Sequence, residues 1–301
     1  MGQESGSEPA RPAGPYGGER REGAFMAKPL GIVTRYRTHL AHFDVAFWEA
    51  KDVGGACRPP VPGTIPMVSF FGDNRVAGQH PDWVQQGPGG ERGARPTRYF
   101  DWDTLCPSRP EVAALALRWA EAALSGAGAL RLDDVTFARR GYCTCSACQE
   151  GAAAAGLPLE AWRQRVLSNF VAAVRERAGA RPLYLTLYPD PYPGHLARER
   201  GLDLQELAPL VDAFVVPLYD LTYSTTYWLE VLASGFRDLL GPHPWWAELY
   251  ALGVPTPALT KAALVAGTYA DGLLLAYGAK LPELQSVAAA VQKHFGESAS
   301  P

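Results

Sequence analysis

Eight short runs rich in β-branched and aromatic residues, most of them separated by amphipathic helical segments, restrict this chain more than any other feature. The runs are GIVTRYRT (31–38), FDVAFWEA (43–50), IPMVSFFG (65–72), ALRLDDVTF (129–137), RPLYLTLYP (181–189), AFVVPLYD (213–220), WWAELYA (245–251) and ADGLLLAYG (270–278). Strands alternating with helices are the mark of a parallel sheet wrapped by helices, and eight strands are the number that closes such a sheet into a barrel. Helical segments are predicted over 110–125, 159–179, 224–240, 257–267 and 281–295. In 159–179, Trp162, Val166, Phe170, Val171 and Val174 recur at helical spacing and give one stripe to lay on the sheet. Pro257 and Pro282 suit first-turn positions, and Ser108 is placed to cap the helix that begins near Pro110. The fold class is therefore α/β, a (β/α)8 TIM-like barrel in one domain over residues 29–298. Between the first three strands no helix is evident, although parallel neighbours need a crossover of about ten residues or more. The first strands are expected to be irregular, or the barrel incomplete on that side.

Residues 1–28 have the composition of turns and no periodicity, so a disordered tail is expected there, and Met26 offers an alternative start of translation. No apolar run approaches the roughly 20 residues that span a bilayer, and the start lacks the apolar stretch of a secretory signal. A cytoplasmic location follows as an expectation. A formal charge of −3 supplies no reason for nucleic acid or an anionic membrane as partner. A homo-oligomer is compatible with everything in the sequence.

Of five cysteines, three stand in Cys143-Thr-Cys145-Ser-Ala-Cys148, just after the strand that ends in Asp133 and Asp134. A reducing compartment and tight clustering favour metal over disulfides. Zinc takes four soft ligands in a tetrahedron, and this turn supplies three. Cys106, in LCPSRPEV after the preceding strand, would lie beside it in a barrel and is the candidate fourth ligand. Such a closed Zn2+ site is structural: it ties loops together and leaves no position for substrate. The alternatives are reduced thiols without metal, or a redox or metal-sensing cluster.

The block LRLDDVTFARRGYCTCSACQE resembles the strand-four segment of the zinc-containing β-galactosidases of glycoside-hydrolase clan A. In those enzymes Asp-Asn-Glu at the strand end precedes a Cys-x-Cys-x-x-Cys cluster, and an earlier Cys completes the zinc. The stretch around GQHPDWVQQ and RYFDWDTLCPSRPEV, within 78–122, resembles related, uncharacterised glycosidase-like barrels. The likeness covers roughly residues 65–150. It implies a barrel that handles carbohydrate and a structural zinc held by Cys106, Cys143, Cys145 and Cys148. It departs at one decisive place: where the β-galactosidases carry their acid/base glutamate, this chain has Val135, which cannot transfer a proton.

Glycoside hydrolysis needs two carboxylates across the scissile bond, and in a barrel these project from the C-terminal strand ends. Asp133 and Asp134 close the fourth strand, Asp190 follows the fifth, Asp220 ends the sixth and Glu248 sits in the seventh. Successive strand residues face opposite ways, so Asp133 and Asp134 cannot both point into the mouth; the other holds a loop or pairs with Arg131 or Arg139. The preferred catalytic set is Asp133, Asp134, Asp220 and Glu248. Asp133 or Asp134 is expected as nucleophile and Glu248 or Asp220 as proton donor. Trp245, Trp246 and Tyr250 give Glu248 apolar surroundings that suit an acid. In the family it resembles, the strand-seven Glu is the nucleophile, so the roles also run in reverse. Aromatic faces near strand ends suit sugar rings, and polar groups suit hydroxyls. Candidate substrate-binding residues are Asp73, Asn74, His80, Trp83, Tyr188, Asp190, Tyr219, Trp246 and Tyr277.

There is no Gly-x-Gly-x-x-Gly or P-loop after a strand, no HExxH and no Gly-x-Ser-x-Gly elbow. Nucleotide cofactors, zinc-protease chemistry and serine-hydrolase chemistry thus have no support. The expected function is a glycoside hydrolase acting on carbohydrate. Its rival is a carbohydrate-binding or structural barrel that has lost the acid/base.

Overall fold

The computed structural model describes residues 28–297, so the tail expected over 1–28 lies almost wholly outside the described residues. Eight parallel strands close on themselves in sequence order: β1 (Leu30–Thr34), β2 (Val45–Lys51), β3 (Ile65–Ser69), β4 (Leu130–Asp133), β5 (Leu183–Thr186), β6 (Ala213–Pro217), β7 (Trp245–Tyr250) and β8 (Gly272–Ala276). Each falls within, or within one residue of, its predicted run. Closure is complete, because β1 pairs with β2 along one edge and with β8 along the other, from Leu30↔Leu273 to Val33↔Ala276. The expected irregularity is real but local. The first crossover contains only a 3-10 turn (Arg37–His42) and the second no helix, and the β2–β3 register shifts between Glu49 and Lys51. Residues 35–44 and 52–64 are long enough to return the chain to a parallel start without a helix.

The helices are α1 (Asn74–Gln79), α2 (Pro110–Leu124), α3 (Ser146–Ala155), α4 (Leu159–Ala178), α5 (His195–Arg200), α6 (Leu204–Leu207), α7 (Tyr227–Leu240), α8 (Thr256–Tyr269) and α9 (Leu281–Glu297). Sequence periodicity finds the five long ones and misses α1, α3, α5 and α6, which are too short or too alanine-rich to carry a stripe. Ser108 does not cap α2. The N-cap is Arg109 without a side-chain bond, and Ser108 Oγ instead accepts from Trp162 Nε1 at 3.1 Å.

Two apolar layers follow from strand alternation. Outward-facing Leu130, Leu132, Ala247 and Leu249 pack under the helices. Inward-facing Val33, Phe47, Met67, Val215, Trp246 and Leu274 plug the barrel. Burying that plug alone is worth on the order of 10 kcal/mol before entropy is set against it. The inward positions one step further along the strands are polar: Arg131 and Asp133 on β4, Thr186 on β5 and Glu248 on β7. The apolar floor thus carries a charged layer at the C-terminal mouth.

Candidate functional site

Arg131 organises this mouth. Its guanidinium is fully buried, donates to Glu248 through Nη1 and to Thr186 Oγ1 through Nε at 3.0 Å, and places Nη2 3.8 Å from Asp133. Burial works against its charge, but Glu248 and Asp133 outweigh burial and hold its pKa above the ordinary value. One cation therefore stands between carboxylates of β4 and β7. The other oxygen of Glu248 accepts from the Tyr219 hydroxyl. Burial and the neighbouring Glu248 push the Tyr219 pKa well up, so this phenol stays a donor.

The Glu248 side chain is only 1% exposed, whereas Asp133 is 19% exposed. Tyr219, Tyr250 and Tyr277 cluster at Glu248, with centroids 5.5 to 6.3 Å apart. The apolar surroundings expected of Glu248 are thus replaced by a guanidinium and a phenol, because Arg131 reaches it from β4 and Tyr219 from the loop after β6. Both oxygens of Glu248 thus accept from side-chain donors.

Asp134 turns the other way, as alternation requires, with a left-handed φ of 51°. Its Oδ2 accepts from Ser69 Oγ at 2.7 Å. Burial first, and the charge of Asp133 second, push its carboxyl up to about 7. Tyr188 faces it and carries Arg200 on its ring at 3.6 Å. Burial also raises Glu49, which extends the inward row of β2 that begins at Val45 and Phe47. Val135 is 1% exposed and packs within the outer apolar layer.

Beside the barrel axis, over the ends of β3 to β5, opens a cleft of about 790 Å3. Loop residues Tyr99, Trp102, Tyr142 and Tyr192 line it together with Tyr188 and Asp190. Asp190 accepts from the Tyr192 backbone N–H at 3.2 Å and lies 3.1 Å from His195 Nδ1.

The remaining sequence candidates lie elsewhere. Asp220 is exposed, and the backbone N–H groups of Thr222 and Tyr223 hold its carboxyl below the usual range, so it closes a local turn. Asp73 is buried, caps α1 through Val76 N and pairs with Lys51 at 3.0 Å. Asn74 Oδ1 accepts from Asp103 N at 2.8 Å. His80 stacks on Trp83 at 3.9 Å, away from the cleft lining. Trp246 packs against Phe47 and Tyr184 in the barrel plug, one step below the mouth. Arg131, expected only as a pairing partner of an aspartate, is itself the centre of the site, and a charge on the inward face of a buried strand is the signal for it. The cleft residues of 97–102 carry no periodic signal and were invisible.

The cysteines converge as the sequence suggested. The Sγ atoms of buried Cys106, Cys143, Cys145 and Cys148 all lie within 4.8 Å of one another, with Cys106 3.5 Å from both Cys145 and Cys148. Thiolates at about 2.3 Å from a tetrahedral ion stand roughly 3.8 Å apart, so the four fit one metal ion. Backbone supports are in place: Gln86 N donates to Cys143 Sγ at 3.2 Å, and Cys106 N donates to the Trp83 carbonyl at 2.8 Å. The neighbouring thiols, Cys106 foremost, hold the Cys145 pKa well below its ordinary value.

No protein-family model matches the sequence, and no curated protein matches it. Among solved structures, the chain is similar to α-L-fucosidase isoenzyme 2 from Paenibacillus thiaminolyticus, with a TM-score of 0.61 and 13% identity over 90% of this chain. It spans about half of that enzyme, 49%. A chitinase from Chromobacterium violaceum (TM-score 0.49, 11% identity, 88% of this chain and 98% of that one) is also similar. So is a GH36 α-galactosidase from Geobacillus stearothermophilus in complex with raffinose (TM-score 0.49, 11% identity, 91% and 42%). At 13% identity the likeness to the fucosidase is one of fold, a TIM-type barrel.

Proposed function

We propose that the barrel is a glycoside hydrolase whose reaction centre is the Arg131-bridged pair Asp133 and Glu248, on β4 and β7. The observation that carries this reading is the bridge itself: one buried guanidinium contacts both carboxylates at the C-terminal mouth. Two carboxyls across a bound sugar are what glycosidic cleavage requires. The fold likeness to the fucosidase supports the substrate class. Glu248, which accepts from Arg131 and Tyr219, takes the role of nucleophile or base in this reading. The proton donor is then on β4. Asp133 is the acid there that faces the mouth and is the more exposed of the two, 19% against 9%. This inverts the preferred sequence assignment and needs no acid at Val135.

The cysteine cluster is read as a structural zinc site, since four thiolates close every position of a tetrahedral ion. It takes no part in the reaction.

The test is hydrolysis of a panel of aryl glycosides by the wild type, Asp133→Asn and Glu248→Gln, with circular dichroism confirming the fold. Loss of a catalytic carboxylate is expected to lower kcat by at least about a hundredfold. Folded variants that keep wild-type rates would sink the assignment. A wild type inert on every glycoside would favour a barrel that binds sugar without cleaving it, a reading supported by the near-complete burial of Glu248.

A further inference from the structure

The cleft over β3 to β5 has a charge pattern that the hydrolase reading does not use. Three guanidinium groups surround the exposed ring of Tyr99: Arg140 at 4.3 Å, Arg98 at 4.6 Å and Arg139 at 5.9 Å from its centroid. Arg200 lies across the cleft on Tyr188. None of these four arginines makes an ion pair among the described residues. The acids of the same cleft are mostly engaged. Asp190 is held by His195 and the Tyr192 N–H, and Glu199 accepts from Arg140 N at 3.2 Å and stands 3.5 Å from Arg198. Glu91 bonds the Tyr142 hydroxyl, and Asp101 makes no hydrogen bond or ion pair among the described residues. Four arginines and four acids thus line the cleft, and its guanidinium groups are concentrated at Tyr99.

Like charges crowded on one ring repel each other, and an anion between them removes that cost. Guanidinium groups match the planar, two-oxygen edge of a carboxylate and the oxygens of a sulfate. Aromatic walls at Tyr188, Trp102 and Tyr142 supply the flat surfaces that a sugar ring covers. A free inorganic anion would use the arginines and leave these walls bare. We propose that the cleft binds acidic carbohydrate, a sugar ring bearing a carboxylate or a sulfate, with the anionic group among Arg98, Arg139 and Arg140. This deepens the carbohydrate reading of the barrel and rests on it for the sugar, while the charge preference stands on the arginines alone.

The experiment is equilibrium binding to the full chain, followed by Trp fluorescence and calorimetry. The probes are oligogalacturonate, its fully methyl-esterified form, a sulfated galactan oligomer, its desulfated form, and inorganic sulfate. The acidic form of at least one pair is expected to bind about tenfold or more tighter than its neutral counterpart and than free sulfate. The pair that shows the preference tells carboxylate from sulfate. The double variant Arg98→Gln/Arg139→Gln, at exposed positions, is expected to erase the preference and keep the fold. Equal binding of charged and neutral forms overturns the proposal, as does binding of none of the oligomers. Free sulfate binding as tightly as the oligomers makes the cleft a simple anion site and also overturns it. Binding without cleavage would sink the hydrolase reading alone, and cleavage of a neutral glycoside without acid preference would sink this inference alone.

Discussion

Asp134 sits in a left-handed conformation at the end of β4, with its carboxyl raised to about 7 by burial and by Asp133. A carboxyl whose folded value exceeds its unfolded value of about 4 favours the fold only while protonated. Its ionisation therefore subtracts stability progressively as pH rises from about 4 to about 7, and by a constant amount above that. Replacing it by Asn keeps an acceptor for Ser69 Oγ and removes the charge. Asp134→Asn is expected to gain roughly 2–4 kcal/mol of stability at pH 8 and almost nothing at pH 4, read by urea denaturation at the two values. An equal effect at both would show that the carboxyl is not raised. This residue also marks where single-sequence reading stops. That one of Asp133 and Asp134 faces the mouth follows from strand alternation, but which one does depends on the phase of β4. Arg131 fixes that phase, because an inward Arg131 brings Asp133 inward with it. Asp73 and Asp220 looked like site residues for the same positional reason as Glu248, and only their hydrogen bonds set them apart.

At the scale of elements, the cysteine cluster links the loop before α2 to the turn that opens α3. The same two loops carry Trp102, Tyr99 and Tyr142 into the cleft, and Thr144 Oγ1 donates to the Gly87 carbonyl at 2.9 Å between them. Metal analysis of the purified chain is expected to return one zinc per chain. Chelation, or Cys106→Ser, should lower Tm by at least about 3 °C, the shift that ~2 kcal/mol gives in a chain this size, and weaken any cleft ligand. A metal-free chain of full stability would reduce the cluster to four buried thiols. This site was legible because its spacing is local: three ligands within one turn and the fourth on the neighbouring crossover. The cleft was not, since its walls are loops whose residues meet only after β3, β4 and β5 are side by side. The first two crossovers left the closure of the barrel open in the sequence for a related reason. They return the chain without a helix, so no 3.6-residue pattern announces them, yet β1 still finds β8.

For the whole molecule, closure makes the strands mutually dependent. β1, early in the chain, completes its pairing only with β8, late in the chain, and the apolar plug draws on strands from both halves. Residues 29–298 are therefore expected to unfold as one unit. Trp fluorescence and far-UV circular dichroism should give coincident denaturant transitions. Separated transitions would mean that the two halves of the barrel are stable independently. Contacts this distant in sequence also imply slow folding relative to helical bundles of similar size.

The plug beneath the charged layer has a consequence for traffic. Phe47, Met67, Trp246 and Leu274 fill the barrel below Arg131 and leave no passage along its axis. The molecule is a cul-de-sac: a ligand of Asp133 and Glu248 would have to enter and leave by one doorway, the C-terminal mouth. A fragment left behind after bond cleavage would stand in the path of the next arrival. Turnover in such a vessel would be governed by how quickly the doorway clears, and accumulated product would act as its own stopper.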